Sequence, residues 1–568
     1  MGSSRRDALK MTIGAGAALT VGQADALAAT GTAAEARTAN CTAPRVIWGR
    51  TPEGRRKADL GNGHYRNPVL PGDYPDPTIL KDGDDYYLTH SSFDAMPGLL
   101  IWHSRDLVNW SPVCAALPKP IGTVFACDLI RHGGRYFIYI PFMKAPWSSG
   151  LKSFANIYVI HADNIAGPWS APVDTGIGGY IDPGHVVDTD GQRYLYLSGI
   201  HRVLLTPDGL APAGPIEKVY DGWRYPDDWV VEGYSLEGPK LLRKGDWFYL
   251  ISAVGGTGGP PTGHMVIAAR SRSAKGPWEN CPHNPIVRTW NAAEPWHSRG
   301  HATAVEGPGG QWYLVYHGYE NGYQTLGRQT LLEPMVWTAD GWPRATGGDL
   351  SKPLPVEARP SPRPPLLLSD DFSTDAIGTR WTLHINGEPD RSLAQVRENA
   401  LWLKAQGSGP QNGTVLTQQT GDRAYQAQVT MSLGEGAEGG LLLFFSDRLF
   451  LGISHNGERM ITYGGGQPGH WREPAPPTRK IHLRVVNDHH IVTYYWSLDG
   501  RDWTRHEIRA ETSGCHANTM QDLTSLRVAL FAAGTGTVRF DRFVYRATDD
   551  FATADAGRAP QRRKMETG

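Results

Sequence analysis

Asp84-Asp85-Tyr86-Tyr87-Leu88, Gly134-Arg135-Tyr136-Phe137-Ile138, Gly191-Gln192-Arg193-Tyr194-Leu195, Asp246-Trp247-Phe248-Tyr249-Leu250 and Gly310-Gln311-Trp312-Tyr313-Leu314 repeat one pattern: a turn, then an aromatic and aliphatic strand. With Tyr87, Phe137, Tyr194, Tyr249 and Tyr313 as markers, the intervals are 50, 57, 55 and 64 residues. A repeat of roughly 40 to 50 residues with several strands per unit is the sequence signature of a β-propeller, and loop insertions stretch the spacing. Five repeats predict five blades.

Each marker has a polar residue upstream. Asp76 lies 11 residues before Tyr87, Asp128 lies 9 before Phe137, and Asp182, Glu237 and His301 each lie 12 before their markers. The first strand of every blade lines the propeller axis, so equivalent positions meet there. Three Asp, one Glu and one His converging on one pocket make an acid–base site.

The outward reading is consistent with this architecture. At 568 residues the chain has room for more than one domain. Its 56 Lys+Arg balance 57 Asp+Glu, so neither a basic nucleic-acid face nor a membrane-binding patch is predicted. The 67 Gly and 42 Pro suit many turns between short strands. Ser4-Arg5-Arg6-Asp7-Ala8-Leu9-Lys10, the apolar run Met11 to Val21, and the small residues Ala26 and Ala28 read as a twin-arginine export signal over residues 1–30. That run is too short for a membrane anchor. Five cysteines without metal-type spacing (Cys41, Cys114, Cys127, Cys281, Cys515) are expected to be mostly buried free thiols, and Cys114 and Cys127 are close enough in sequence to pair.

Residues 31–65 read as an N-terminal tail and 66–350 as the propeller. Ser104 to Trp110 is expected to be an outer strand, with Gly167-Pro168-Trp169 and Gly276-Pro277-Trp278 as its counterparts and their Trp packing between sheets. Residues 351–368 form a proline-dense linker, expected to be extended and stiff. From 369 to 548, segments such as Tyr425-Gln426-Ala427-Gln428-Val429 and Ile481-His482-Leu483-Arg484-Val485 alternate with period two, which predicts a concanavalin-like antiparallel β-sandwich. A polar tail, expected to be disordered, closes the chain at 549–568. The fold class is therefore all-β.

Asp76 sits between Pro75 and Pro77, which fixes stiff backbone and predicts an extended conformation for Asp76 itself. Asp182 likewise precedes Pro183. Glu237 precedes Gly238, which permits close approach of backbone or ligand.

Tyr74-Pro75-Asp76-Pro77, Ile181-Asp182-Pro183 and Leu236-Glu237-Gly238-Pro239, taken in order, resemble the three signature segments of glycoside hydrolase family 43, whose members are five-bladed propellers acting on xylosides and arabinofuranosides. The resemblance covers roughly residues 65–345, and the sandwich resembles the C-terminal domain of many β-xylosidases of that family, where it helps close the pocket. It implies Asp76 as general base, Glu237 as general acid and Asp182 as the residue that tunes and orients the acid. It implies that Arg328, in Leu326-Gly327-Arg328-Gln329, and Phe93, in Ser91-Ser92-Phe93-Asp94, contact the substrate. His301 matches a family His near the axis, often associated with a cation; no cofactor is required, and a structural Ca²⁺ near His301 is the metal expectation. The second blade departs from the family: Phe125-Ala126-Cys127-Asp128 replaces a common Trp-Ala-Pro, and Asp128 is expected to contact sugar hydroxyls.

The leading expectation is thus an exported, inverting exo-glycosidase removing terminal β-D-xylosyl or α-L-arabinofuranosyl residues from plant cell-wall oligosaccharides. Other furanosides remain open, as does the oligomeric state. The competing readings are a non-catalytic carbohydrate-binding propeller and a scaffold propeller with an adhesive sandwich. Neither needs acids in register on the axis.

Overall fold

The computed structural model describes residues 48–148, 150–359, 361–469, 475–520 and 522–547. The export signal, Cys41 and the C-terminal tail at 549–568 lie outside the described residues.

Each marker strand is the second strand of an antiparallel blade, four-stranded in the first, third and fifth blades and five-stranded in the second and fourth. The inner strands are Thr78–Asp82, Asp128–His132, Gly184–Val187, Glu237–Lys244 and Trp296–Glu306. The turns within the repeat join inner to second strand, with Asp82 opposite Asp85 and His132 opposite Arg135. Tyrosines of the marker strands then tie blade to blade through their hydroxyls. Tyr86 donates to the Glu306 carbonyl at 3.0 Å, Tyr139 to Gly209 at 3.0 Å, and Tyr196 to Ala274 at 2.6 Å. An aromatic ring can bury its body between sheets while its polar tip finds a partner.

Of Ser104 to Trp110, only Ser104 is in a strand; Arg105 to Trp110 is a turn, not the outer strand the sequence pattern predicted. The strand Gly98–Ser104 ends there and Ser111–Leu117 begins after it. The cause is local capping: Ser104 Oγ accepts from the Asp106 and Leu107 N–H groups, and Asp106 Oδ1 accepts from Val108 and Asn109. Gly167-Pro168-Trp169 and Gly276-Pro277-Trp278 also lie outside strands. Trp110 is buried, and Trp169 and Trp278 pack at the edges of inter-blade cores.

The stretch read as a tail contains folded chain from Trp48 onward. Arg56 is buried and forks onto Glu320 at 3.0 and 2.8 Å, and its backbone N–H donates to Asp422 of the sandwich at 2.8 Å. Within the proline-rich stretch, Leu354–Pro355 pairs with His64–Tyr65.

The second domain packs an eight-stranded sheet on a seven-stranded one. Lys480–Asp488 shows the expected alternation, with Ile481, Leu483 and Val485 buried in the core that also holds Trp381, Tyr425 and Phe543. One edge strand of the eight-stranded sheet belongs to the propeller: Ala95–Met96 pairs with Leu383 and His384. Cys114, Cys127, Cys281 and Cys515 are free thiols. No helix among the described residues is long and apolar enough to cross a membrane.

Candidate active site

The site is built where the inner strands begin. Asp76 and Asp182 each lie two residues before their strand, Glu237 opens its own, and His301 lies within the fifth. The backbone there differs from the sequence expectation. Asp76, Asp182 and His301 have φ of 57°, 55° and 59°, the left-handed region, although both aspartates precede proline. The flanking proline rings restrict the dipeptide, but the demand to turn a carboxylate onto the axis overrides the extended preference.

Asp76 is buried and heavily partnered. Arg328 Nη1 donates to Oδ1 at 2.9 Å, and Ser91 Oγ donates to Oδ2 at 2.5 Å. His317 Nδ1 lies 3.0 Å from Oδ1 and 3.1 Å from the Asp76 backbone N. Burial opposes its charge, but the Arg328 guanidinium and the neighbouring imidazoles win and hold the carboxyl well below the usual range. It is an anion at neutral pH.

Glu237 goes the other way. Burial is the largest cause, and the Asp182 and Asp76 carboxylates add like-charge repulsion, so its carboxyl is raised well above the usual range. Its side chain is packed deep among neighbours yet keeps 22% of its surface open, so a protonated Glu237 can still reach a ligand. Asp182 sits between these extremes. Burial and the Asp76 charge raise it to about 7, while the Gly238 N–H donates to Oδ2 at 3.0 Å. Gly238 has φ 60°, and a Cβ there would come within 3.0 Å of the His301 ring, so only glycine lets the Glu237 strand approach the fifth blade.

Arg328 spends one nitrogen on Asp76. Its Nε and Nη2 are buried without a protein partner, so two donors are left unsatisfied. Its guanidinium lies 5.7 Å from the Phe93 ring, which meets Phe125 edge-on at 5.7 Å. Phe125 of the altered second blade therefore joins the apolar wall.

Asp128 is on the axis, but its expected role toward sugar is not what its contacts show. Oδ1 accepts from Lys240 Nζ at 2.7 Å and Thr78 Oγ1 at 3.1 Å, and Oδ2 accepts from the His185 N–H at 2.7 Å. Lys240 also donates to the Cys127 and Pro183 carbonyls. This buried pair knots four inner strands together beneath the pocket and leaves Asp128 little capacity for a ligand.

His301 is held neutral by burial, down to about 3, with Nδ1 3.7 Å from Asp76 Oδ1 and Nε2 unpartnered. Calcium requires six to eight oxygen donors. Here the donor is an imidazole nitrogen, and the neighbouring Asp76 oxygen already serves Arg328. Among the described residues no group of three or more His, Cys, Asp or Glu is arranged to hold an ion. The donor set does not fit the expected calcium.

Sequence reasoning missed four site residues. Ser91 and His317 had no flagged pattern. His264, whose Nε2 is 3.9 Å from Glu237 Oε1, lies on no repeat marker. Lys240 stood in the open, three residues after Glu237, but its role depends on a register shift between Glu237 and Lys240 that spacing alone does not reveal.

Two family profiles match the chain: glycosyl hydrolases family 43 over residues 65–343, and the beta xylosidase C-terminal concanavalin A-like domain over residues 369–546. A non-reducing end alpha-L-arabinofuranosidase of Bacteroides ovatus is 33% identical over 61% of this chain and 66% of its own. A xylan 1,3-beta-xylosidase of a Vibrio species is 32% identical over 50% of this chain and 57% of its own. The matched stretches thus span less than two thirds of these relatives. Among solved structures, the GH43 BlXynB protein from Bacillus licheniformis superposes with a TM-score of 0.74 at 27% identity, covering 85% of this chain and 100% of that one. Propeller and sandwich agree with the two profiles in turn, and the chain belongs to glycoside hydrolase family 43.

Proposed function

We propose that the protein is an inverting exo-glycosidase that releases terminal β-D-xylosyl or α-L-arabinofuranosyl residues from plant cell-wall oligosaccharides. The observation that carries this is the opposite displacement of two carboxyls in one pocket, Asp76 toward the anion and Glu237 toward the acid. Inverting hydrolysis needs such a pair: a carboxylate activates water on one face of the sugar while a protonated carboxyl donates to the leaving oxygen on the other. Asp76 is the base, Glu237 the acid, and Asp182 keeps Glu237 protonated. Arg328, through its two free donors, and the Phe93–Phe125 wall orient the terminal sugar. The reaction needs no cofactor.

The named activities of the arabinofuranosidase and xylosidase relatives support both sugars as substrates. The arginine pair at Arg5-Arg6 and the following apolar run support export through the twin-arginine route. The test is release of p-nitrophenol from β-xyloside and α-L-arabinofuranoside substrates, with the product anomer followed by NMR. Inverted product from at least one is expected. Net retention removes the mechanism, and no turnover of either removes the substrate class.

A further inference from the structure

The carboxylates leave one part of the surface unexplained. Trp290 is 59% exposed and Val230 66% exposed, and large apolar side chains left together in water mark a binding surface. The patch is rigidly built. The Trp229 ring carries the Arg288 guanidinium 3.4 Å from its centroid and meets Trp290 edge-on at 5.6 Å. Trp223 packs behind it at 6.0 Å. Arg288 is itself buried, with Nε unpartnered. The Trp290 backbone N–H donates to Glu294 Oε1 at 2.7 Å, and Glu294 Oε2 pairs with Arg299 at 3.0 Å, two residues from His301.

Topology places this patch beside the pocket. Trp229 is on the segment that runs into Glu237, and Trp290 is on the segment that runs into the next inner strand, Trp296–Glu306. In antiparallel blades the entries to all inner strands lie on one face, so both rings rim the face on which Asp76 and Glu237 open. Next to Trp290, between the fourth and fifth blades, lies a cavity of about 420 Å³ lined in part by Arg288, Glu294 and Arg299, within the size range of small-ligand sites.

We infer that Trp290, backed by Trp229 and Arg288, is a platform for the sugars on the leaving-group side of the scissile bond. Pentose rings present apolar C–H faces that stack on indole, while their hydroxyls meet the charged groups of the adjoining cavity. The platform makes the enzyme favour an oligosaccharide over a simple aryl glycoside. The inference rests on the glycosidase reading above and names the part of the substrate that reading leaves undefined.

The exposed ring can be removed without opening a core. In Trp290→Ala, kcat/KM on p-nitrophenyl β-xyloside and α-L-arabinofuranoside is expected to fall less than on oligosaccharides, because a single aryl leaving group covers less of the platform than a run of sugars. On xylotetraose or arabinotetraose it is expected to fall about tenfold, mainly through KM. A second measurement needs no turnover: calorimetric titration of the same tetrasaccharides into Glu237→Gln and into Glu237→Gln/Trp290→Ala, with Kd about tenfold weaker in the double variant. Equal tetrasaccharide Kd values, or equal losses on aryl and oligomeric substrates, overturn the platform. If wild type hydrolyses neither aryl glycoside, the glycosidase reading fails, while the titration still decides the platform.

Discussion

Asp76, Asp182 and His301 share a left-handed backbone at equivalent places in three blades, a conformation costing on the order of 1–3 kcal/mol per non-glycine residue. The repeat of one strained geometry at three axial positions ties it to aiming side chains at the axis rather than to a local turn. Glu237 does not share it; its approach is granted by Gly238 instead. The pKa displacements give the first prediction. Activity rises with pH as Asp76 ionises, well below the usual carboxylate range, and falls as Glu237 loses its proton. Because the Asp182 charge helps hold that proton, Asp182→Asn is expected to move the alkaline limb of the kcat/KM profile to lower pH. An unmoved limb denies Asp182 its tuning role. The same variant has a stability signature. The folded pKa of Asp182, about 7, lies above its unfolded value of about 3.9, so the folded state binds more protons between these values and stability falls as pH rises through that window. Asp182→Asn should therefore raise Tm at pH 8 relative to wild type but not at pH 4, as scanning calorimetry can show. Glu237→Gln is expected to lose about 10²- to 10⁴-fold in kcat on substrates with poor leaving groups, and less on activated aryl glycosides, a split visible in parallel kinetics.

At the scale of the element, the loop between the second and third strands of blade one performs two tasks. It carries Phe93 to the pocket wall, and its Ala95–Met96 segment joins the sandwich sheet, with the Ile385 N–H donating to the Asp94 carbonyl at 2.8 Å. Asp94 Oδ1 accepts from Thr123 Oγ1 at 2.5 Å and Trp147 Nε1 at 3.2 Å, which pins the loop to blade two. Asp94→Ala is expected to raise KM several-fold while leaving the pH limbs in place, since it moves the wall and not the carboxyls; a shifted pH profile with unchanged KM contradicts this. The loop also marks how far the sequence could be read. The five aromatic strands declared the blades, and counting back from them found Asp76, Asp182, Glu237 and His301, because register along a strand is a local property. What joins different blades was illegible: Asp128 carries the same signature as the reactive acids, yet Lys240 claims it from two blades away. The positive φ of Asp76 was likewise hidden, since a proline neighbour argues locally for extension and only axial convergence argues against it.

At the scale of the whole molecule, Glu320 joins three parts of the chain. It accepts from Arg56 of the N-terminal segment at 2.8 Å and from Arg423 of the sandwich, and from Gln329 Nε2 of its own blade at 3.0 Å. Burial opposes its charge, but the two arginines hold it down to about 2. That stabilisation is complete above the unfolded value of about 4.3 and is lost as pH falls toward 2. Glu320→Ala strands the buried Arg56 cation, with the partly exposed Arg423 beside it, and is expected to cost about 3–5 kcal/mol. In calorimetry it should lower Tm and split one cooperative transition into separate propeller and sandwich events. A single unshifted transition contradicts the role of Glu320 as the joint. The shared sheet has a further consequence for how this protein can be dissected. If the sandwich is expressed alone, Thr382–His384 loses Ala95–Met96 and becomes a bare outer strand whose unpaired amide and carbonyl groups recruit the next copy. Cutting at the proline-rich segment is therefore expected to yield a fragment that self-associates more than the intact chain, as light scattering of the two can show.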